Sequence, residues 1–253
     1  MPMTETDNPN PAPHDSTGAR ETRQVWEYLG RPAQGIFVDV GANEPFEHNM
    51  TWFLEAQGWT GVLVEPNPEL AAQLRELRPR SKTFQVAVGS PAQVGEIELH
   101  LTVGTGGQSS PIPDYDAPLT GKTVRVKLQT LDTILTEAGV TQIDFLSLDV
   151  EEMELEVLAG FDFEKWQPKL ILIEDFLYDG RKHACLRAHG YKLIHRTGYN
   201  NWYVPRASRD SLFTVSSPGE IINLARKMWI SGPLIGARRK WRRRRAQKLS
   251  RSN

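Results

Sequence analysis

The chain has 253 residues, with 30 lysines and arginines, 31 aspartates and glutamates and a single cysteine. One cysteine, Cys185, excludes an intramolecular disulfide, a zinc ribbon and a CxxC redox site. No apolar run approaches the roughly 18 residues that span a bilayer, and the first 20 residues lack the apolar core of a signal peptide. These features predict a cytoplasmic protein with one sizeable domain.

The formal net charge of -1 hides two segments of opposite charge. From residue 221 to residue 253 there are 11 basic residues and no acidic one, so residues 1–220 carry -12 and the remainder +11. Such asymmetry is typical of a chain with a basic interaction arm.

Composition divides the chain into three parts. Residues 1–20 are rich in Pro, Asn, Thr and Asp, and they hold almost no large apolar side chain, which predicts a disordered leader. Residues 21–206 show regular alternation of helical and extended patterns and form the predicted domain. Residues 207–253 are the basic tail, which we expect to be helical in part, with an interruption at Ser231-Gly232-Pro233.

The domain alternates short apolar runs with segments of helical spacing. Predicted helices cover 21–29, 47–57, 68–77, 131–138, 152–158 and 180–188. Predicted strands cover 36–40, 61–65, 83–88, 143–150 and 169–174, with a closing antiparallel pair at 192–196 and 202–204. Two strands of hairpin type, 96–102 and 123–130, flank a loop at 104–121 that is long enough to be a lid or a binding loop. The pattern predicts an α/β fold with a mostly parallel sheet and helices on both faces.

Acidic residues stand at the ends of three predicted strands. Asp39, followed by Gly41, ends the first strand, Glu65 ends the second, and Asp149 follows the IDFLSL strand. Ligands of open α/β sheets bind at this edge. Because the loop after the first strand is neither GxGxxG nor a P-loop, it fits a nucleoside cofactor without pyrophosphate better than NAD or ATP.

Several separated motifs then resemble one family. "FVDVGANEPFEHNMTWFLEAQGWTGVLVEPNPEL", "FQVAVGS", "LQTLDTILTEAGVTQIDFLSLDVEEMELEVLAGFDFEKWQPKLILIE" and "LRAHGYKLIHRTGYNNWYVPR" occur in the order and spacing of FkbM-type methyltransferases dependent on S-adenosyl-L-methionine. The resemblance implies a class I methyltransferase fold, which is Rossmann-like, and O-methylation of a saccharide, glycolipid or related small-molecule hydroxyl.

The resemblance also assigns a cofactor site to residues at the strand ends. Those next to the methionine part are Asp39, Gly41, Ala42 and Asn43; Glu65 holds the ribose hydroxyls; Pro66, Asn67, Ala87 and Val88 border the adenine; Asp149 faces the sulfonium. Candidate general bases are Asp149, Glu151 and Glu174, with His48 and His195 as weaker candidates. We expect no metal, although Glu151, Glu154, Glu174 and Asp175 could alternatively hold Mg²⁺.

One position departs from the family's D-V-E-G-x-E pattern. Glu152 stands where the family has Gly, and a positive φ or a close backbone contact there would strain or block the site. A catalytically impaired binding protein of the same fold therefore remains an alternative.

The tail mixes apolar and aromatic residues with its bases. This composition suits peripheral association with an anionic membrane, for example at the inner membrane surface. Nucleic acid is the less favoured partner, and it would make the chain an RNA-directed methyltransferase or binder. A solubilising tail, or an arm that docks on the acidic body, is the third option.

Overall fold

A computed structural model describes residues 17–47, 49–102, 109–110, 119–178 and 180–250. Most of the predicted leader, His48 and most of the predicted 104–121 loop lie outside these residues. The chain forms two compact units, Met1–Lys169 and Leu170–Asn253.

The first unit contains eight strands, six α-helices and a short 3₁₀-helix (Pro91–Gln93) among its described residues. The strands are β1 (Ile36–Val40), β2 (Thr60–Val64), β3 (Lys82–Phe84), β4 (Ala87–Val88), β5 (Gly95–Thr102), β6 (Ser109–Ser110), β7 (Leu119–Gln129) and β8 (Phe145–Leu148). The helices are α1 (Thr17–Tyr28), α2 (Trp52–Ala56), α3 (Pro68–Leu77), α4 (Leu131–Ala138), α5 (Glu154–Ala159) and α6 (Phe163–Trp166).

The main sheet of this unit is parallel, with strand order β8-β1-β2-β3. Its central strands are apolar and buried, as expected of strands covered by other elements. After β1 the chain builds outward through β2 and β3, and it later returns to the opposite side of β1 as β8. The strand order therefore reverses between β1 and β8, which is where open α/β sheets bind ligands.

A second sheet contains the strands β4-β7-β5-β6. The prediction of one strand over 83–88 is wrong, because the chain leaves the main sheet after Phe84 and Ala87–Val88 pairs with Leu128 and Gln129 instead. Ala87 packs there in an apolar cluster with Leu99, Val126 and Leu128. The predicted 96–102 and 123–130 strands are present as β5 and β7, and β7 begins earlier, at Leu119.

Three helix boundaries differ from the predicted ones. Helix α1 begins at Thr17, where Thr22 ties its first turn to the neighbouring loop by donating to the Gly18 and Met50 carbonyl oxygens. Helix α2 is shorter than predicted, since residues 44–47 form bends and a turn and residues 49–51 lie outside any helix. Helix α5 begins at Glu154, because Glu151 and Glu152 have positive φ angles.

The second unit contains an antiparallel sheet with the order β10-β11-β9. Its strands are β9 (Leu170–Glu174), β10 (Tyr191–Thr197) and β11 (Asn200–Pro205). The predicted antiparallel closing pair is thus confirmed. Helix α7 (Arg181–Ala188) lies between β9 and β10 in sequence.

The tail of the second unit is helical. It consists of α8 (Leu212–Val215), α9 (Pro218–Arg226), a π-helical segment (Lys227–Ser231) and α10 (Gly232–Ser250). The helical run continues through Ser231-Gly232-Pro233, so the expected interruption is absent. Gly232 N donates to Lys227 O, and this π turn is followed directly by Pro233, which has no N–H to donate. None of the described helices has the length and apolar character needed to cross a membrane.

Candidate active site

Gly41 is the point where two strand ends meet. Its φ is +85°, and a Cβ atom added to it would lie 1.8 Å from the carbonyl oxygen of Asp149. The amides of Gly41 and Ala42 both donate to Val64 O at the end of β2, at 2.9 and 3.1 Å. Only glycine satisfies both the left-handed conformation and the contact, so this residue holds the carboxyl ends of β1, β2 and β8 together.

Glu65 links the loops that follow β1 and β2. Its side chain is 4% exposed. One carboxylate oxygen accepts from Asn43 N at 2.9 Å, and the other accepts from Asn67 N at 2.8 Å. Asn43 presents its amide from a left-handed backbone, with φ at +57°. The carboxylate is therefore fixed in position before any ligand binds.

Burial also changes the acidity of Glu65. Desolvation raises the pKa of this carboxyl to about 7, although the amides of Asn67 and Asn43 lower it and the nearby Asp39 raises it slightly. A buried carboxylate that accepts only two hydrogen bonds remains under-solvated. Further donors directed at it would stabilise its charged form.

Asp39 is buried beneath the same edge of the sheet. Its Oδ2 accepts from the Thr51 hydroxyl at 2.8 Å. Burial raises its pKa to about 6, against the opposing effects of the Thr51 hydrogen bond and the Arg78 charge. With 2% of its surface exposed, Asp39 connects β1 to the loop that precedes α2.

Asn49 organises that loop, although no sequence motif pointed to it. Its amide nitrogen donates to Ala42 O at 2.7 Å. Its carbonyl oxygen accepts from the amides of Thr51 and Trp52, which begin α2, at 2.9 and 2.8 Å. Asn49 therefore fixes the Gly41–Asn43 segment to the start of a helix. Asn is common before helices for this reason, but nothing in its local pattern indicates the second contact.

Arg78 is the other residue that the sequence did not reveal. Its side chain is fully buried, and it forms an ion pair with Glu55 at 2.9 Å. It also donates to Asn49 Oδ1 and to Pro45 O, at 3.0 and 3.1 Å. Burial lowers the pKa of the guanidinium, and the Glu55 charge opposes that effect. Arg78 thus supports the loop after β1 from below through a network of buried hydrogen bonds.

The turn after β8 has an unusual backbone. Glu151 and Glu152 have φ angles of +54° and +77°. Glu154, which is fully buried, accepts from the amides of Val150 and Glu152 at 3.3 Å each. The positive φ expected at the family's Gly position is therefore present with Glu152 in its place. Two non-glycine residues in this region cost roughly 1–3 kcal/mol each.

Glu151 has the acidity of a general base. Its side chain is half-buried, and desolvation raises its pKa to about 7, with the negative charges of Glu154 and Glu152 adding to the effect. A base is most efficient when its pKa lies near the working pH. The turn also brings Asp149 to the Gly41 loop, because Asp149 N donates to Val40 O at 3.0 Å.

The remaining predicted residues are placed as follows. Asn67 caps α3 by accepting from Glu69 N, and Pro66 precedes it. Ala87 and Val88 are buried as members of the second sheet. In the second unit, Glu174 ends β9, and its backbone oxygen accepts from Lys182.

Two other candidate residues, Asp175 and His195, form hydrogen bonds within the second unit. Asp175, considered as a Mg²⁺ ligand, accepts from Leu177 N and from the side chain of Asn201. His195, a weaker candidate for the base, is hydrogen-bonded to the Ser216 hydroxyl at 2.7 Å, and burial lowers its pKa. His48 lies outside the described residues.

Comparison with known proteins gives the family of the chain. The model of the methyltransferase FkbM domain family matches residues 39–193, which is more than half of the chain. The chain belongs to the FkbM methyltransferase family. Its α/β fold, with a parallel main sheet and an antiparallel closing pair, is the Rossmann-like methyltransferase fold that the sequence predicted.

Two curated methyltransferases are similar to the chain. A 31-O-demethyl-FK506 methyltransferase from Streptomyces tacrolimicus is 29% identical over 201 residues, which cover 65% of this chain and 75% of that protein. A 2-O-methyltransferase, NoeI, from Sinorhizobium fredii is 27% identical over 154 residues, which cover 54% of this chain and 61% of that protein.

Two solved methyltransferases are distantly similar. A TehB-like S-adenosylmethionine-dependent enzyme from Corynebacterium glutamicum has a TM-score of 0.40 at 10% identity, over 74% of this chain and 97% of that one. An N1-methyltransferase from Burkholderia thailandensis with bound S-adenosylhomocysteine has a TM-score of 0.38 at 14% identity, over 75% and 77%.

Proposed function

We propose that the protein is an S-adenosylmethionine-dependent O-methyltransferase that acts on a hydroxyl of a saccharide, glycolipid or related small molecule. The observation that carries the proposal is the buried carboxylate of Glu65, which is held by two backbone amides at the carboxyl end of β2, beside the end of β1 where the strand order reverses. Membership of a methyltransferase family supports the reaction class.

The chemistry of Glu65 fits a ribose diol. An ionised carboxylate offers about four lone-pair directions, and the amides of Asn43 and Asn67 occupy two of them. One direction on each oxygen is left for a hydroxyl. Two such hydrogen bonds would also offset the desolvation that raises the pKa of Glu65.

The neighbouring residues take supporting roles in this proposal. The Gly41–Asn43 backbone borders the methionine part, Asn67 and Pro66 border the adenine, and Asp149 faces the sulfonium. When bound, S-adenosylmethionine supplies an activated methyl group. Asp39, which is bonded to Thr51, is assigned to positioning of the loop after β1.

Glu151 is the best-supported general base among Asp149, Glu151 and Glu174. Its pKa of about 7 lets it accept a proton near neutral pH. In the reaction, its carboxylate would take and hold the proton that the acceptor hydroxyl loses on methylation. O-methyl transfer follows the names of the two curated relatives, each of which is an O-methyltransferase.

Isothermal titration with S-adenosylmethionine and S-adenosylhomocysteine tests the cofactor site. We expect binding by the parent chain and a large loss in Glu65→Gln, because an amide presents only one oxygen to the diol. Glu69→Gln is the matched control, since Glu69 is exposed on α3. Equal affinity of all three proteins would contradict the proposed role of Glu65.

Mass spectrometry for a gain of about 14 daltons, the mass of one added CH₂, tests the transfer on glycan and lipid extracts. Loss of a general base reduces turnover roughly 10²–10⁴-fold, so Glu151→Gln should lower kcat by that amount and leave cofactor affinity unchanged. Glu156→Gln, in α5, is the control. A Glu151→Gln variant with the turnover of the parent would assign the base to another residue.

A second candidate function is that of a binding protein with impaired catalysis. The φ of +77° at Glu152, in place of the family's Gly, favours it. Glu152→Gly should relieve about 1–2 kcal/mol of backbone strain, whereas Glu152→Ala should not. If only Glu152→Gly transfers methyl groups, the native chain is the impaired member; if the parent already does so, this candidate is excluded.

A further inference from the structure

The tail helices expose apolar side chains to an unusual degree. Trp229 is 80% exposed and Ile222 is 70% exposed, whereas Trp52, Trp59, Trp166 and Trp202 are each 8% exposed or less. We define the tail surface as the exposed apolar residues Ile222, Trp229, Ile230, Leu234, Ile235 and Trp241 with the exposed bases Arg226, Arg238 and Lys240. Contiguous exposed apolar residues usually mark an interaction site.

The opposite face of α10 is fixed to the rest of the second unit. A Cβ atom on Gly232 would lie 2.0 Å from Leu177 O, and one on Gly236 would lie 2.7 Å from Tyr178 O. The helix backbone therefore packs directly on the segment that follows β9. The Arg239 guanidinium lies over the Tyr178 ring, 5.2 Å from its centroid, on the same side.

This contact determines which side chains face outward. Leu234 lies midway in sequence between the two glycines, so it points about 160–200° away from them around the helix. Trp241 is seven residues, or two turns, after Leu234 and shares its face. The exposed apolar face is thus presented by a docked helix.

Charge gives the chemistry of the partner. The second unit has 18 basic and 5 acidic residues, and none of the acidic ones lies between residues 221 and 253. The sequence from Arg238 onward is rich in bases, whereas residues 222–235 provide most of the exposed apolar side chains. The tail surface therefore combines insertion of apolar groups with attraction to anions.

These features favour a lipid surface over other anionic partners. RNA phosphates would neutralise the bases, but they would leave Ile230, Leu234 and Ile235 in water. A second copy of the chain that paired tail to tail would bring two basic segments together, and like charges oppose association. Tryptophan, aliphatic residues and arginine together are typical of helices that lie in a bilayer interface.

We propose that the tail surface binds anionic phospholipid, with its apolar side chains at the headgroup–acyl boundary and its bases on the phosphates. The inference is independent of the methyltransferase activity. The experiment is flotation of the full chain with phosphatidylcholine vesicles, with and without phosphatidylglycerol. We expect flotation only with the anionic lipid, a decrease with added salt and a blue shift of tryptophan fluorescence.

Matched variants test whether vesicle binding depends on the bases of the tail surface or only on the total positive charge of the chain. Arg226→Gln/Arg238→Gln/Lys240→Gln should lower vesicle partitioning on the order of 100-fold, because each base near an anionic surface contributes about fivefold. Lys122→Gln/Arg125→Gln/Lys127→Gln removes the same charge from exposed positions of β7, and it should change partitioning less than about threefold. Circular dichroism verifies that each variant is folded.

An apolar pair of variants completes the test. Trp229→Ser/Leu234→Ser should lower partitioning at least about tenfold, and Val94→Ser, at an exposed apolar position of the first unit, should not. The proposal is overturned by flotation that ignores lipid charge, by equal losses in the two charge variants, or by binding to RNA without binding to vesicles.

Discussion

The two units of this protein use charged residues in opposite ways. The first unit has 26 acidic and 12 basic residues and a formal charge of -14, and the second has 5 and 18 and a formal charge of +13. In the first, the charges that matter are buried and hydrogen-bonded, as in Glu65 and Arg78. In the second, they are exposed beside apolar side chains. The buried charges hold backbone segments in position, whereas the exposed charges determine which kind of surface the unit can bind.

Glycine serves both units by the same physical means. Gly41 and Gly232 each allow one backbone segment to lie against the carbonyl oxygen of another. At Gly41 the contact joins strand ends and forms the candidate site. At Gly232 it docks a helix and leaves the other face of that helix exposed. Substitutions at these and related positions therefore test the comparison directly.

The largest effect is expected from Gly41→Ala. The added Cβ would lie 1.8 Å from Asp149 O on a backbone with φ of +85°, so we expect a loss of about 5 kcal/mol or more and no cofactor binding. Thermal unfolding and titration measure both. Gly139→Ala is the control, because Gly139 also has a positive φ but nothing within 4 Å, and it should cost only about 1–2 kcal/mol.

Glu55→Gln should cost roughly 3–5 kcal/mol, because it leaves the buried Arg78 guanidinium without its countercharge. Glu27→Gln removes the partner of Arg31 from an exposed pair and should cost less than about 1 kcal/mol. Chemical denaturation gives both values. Similar costs for the two variants would mean that burial does not distinguish these pairs.

Gly232→Ala should loosen α10 at a cost of about 1–3 kcal/mol, since the new Cβ would overlap the backbone of Leu177. Hydrogen exchange should rise in α10 and around Tyr178. Gly219→Ala, in α9 with nothing within 4 Å, should leave exchange unchanged. Protection of α10 that survives Gly232→Ala would show that the glycine contact does not hold the helix.

The smallest effect is a pH dependence. Because the pKa of Glu65 is about 7 and a diol needs the carboxylate form, S-adenosylmethionine affinity should fall about tenfold from pH 8 to pH 6. Glu65→Gln should bind weakly at both values. A parent chain whose affinity is the same at both pH values would argue against diol binding by this group.

The raised pKa of Glu65 acts on stability in the opposite direction to its effect on cofactor affinity. The pKa of Glu65 is raised in the folded chain above its ordinary value of 4.5, so its contribution to stability is complete below pH 4.5 and is lost as the pH rises through about 7. Cofactor binding should therefore be tightest where the ligand-free chain benefits least from this residue. Urea denaturation of parent and Glu65→Gln across that range measures the difference.

Local patterns predicted the parts of the fold that depend on local chemistry. The apolar runs ending at Val40 and Val64 are buried parallel strands, and Asp39 and Glu65 lie at the carboxyl ends of these two neighbouring strands. The two-sheet division of residues 82–88 was not predictable, because Ala87 leaves the main sheet to join residues about 40 positions away in sequence.

The supporting network was also hidden from sequence. Arg78 follows a helix whose exposed positions include Glu69, Arg75 and Glu76, and its pattern resembles that of a surface residue. Its partners Glu55 and Asn49 are 23 and 29 residues away. By contrast, the strained position of Glu152 was indicated by resemblance alone, since a family Gly often marks a positive φ.

The π-helical segment Lys227–Ser231 fixes how far α10 is rotated about the helix axis relative to α9. A π turn accommodates one more residue than an α turn. Deleting any single residue there would restore α-helical spacing and rotate α10 by about 100° relative to α9. The glycines would then turn away from Leu177 and Tyr178, and the outward tryptophan and leucine would move with them. The number of residues in this π-helical segment therefore determines which side of α10 faces Leu177 and Tyr178.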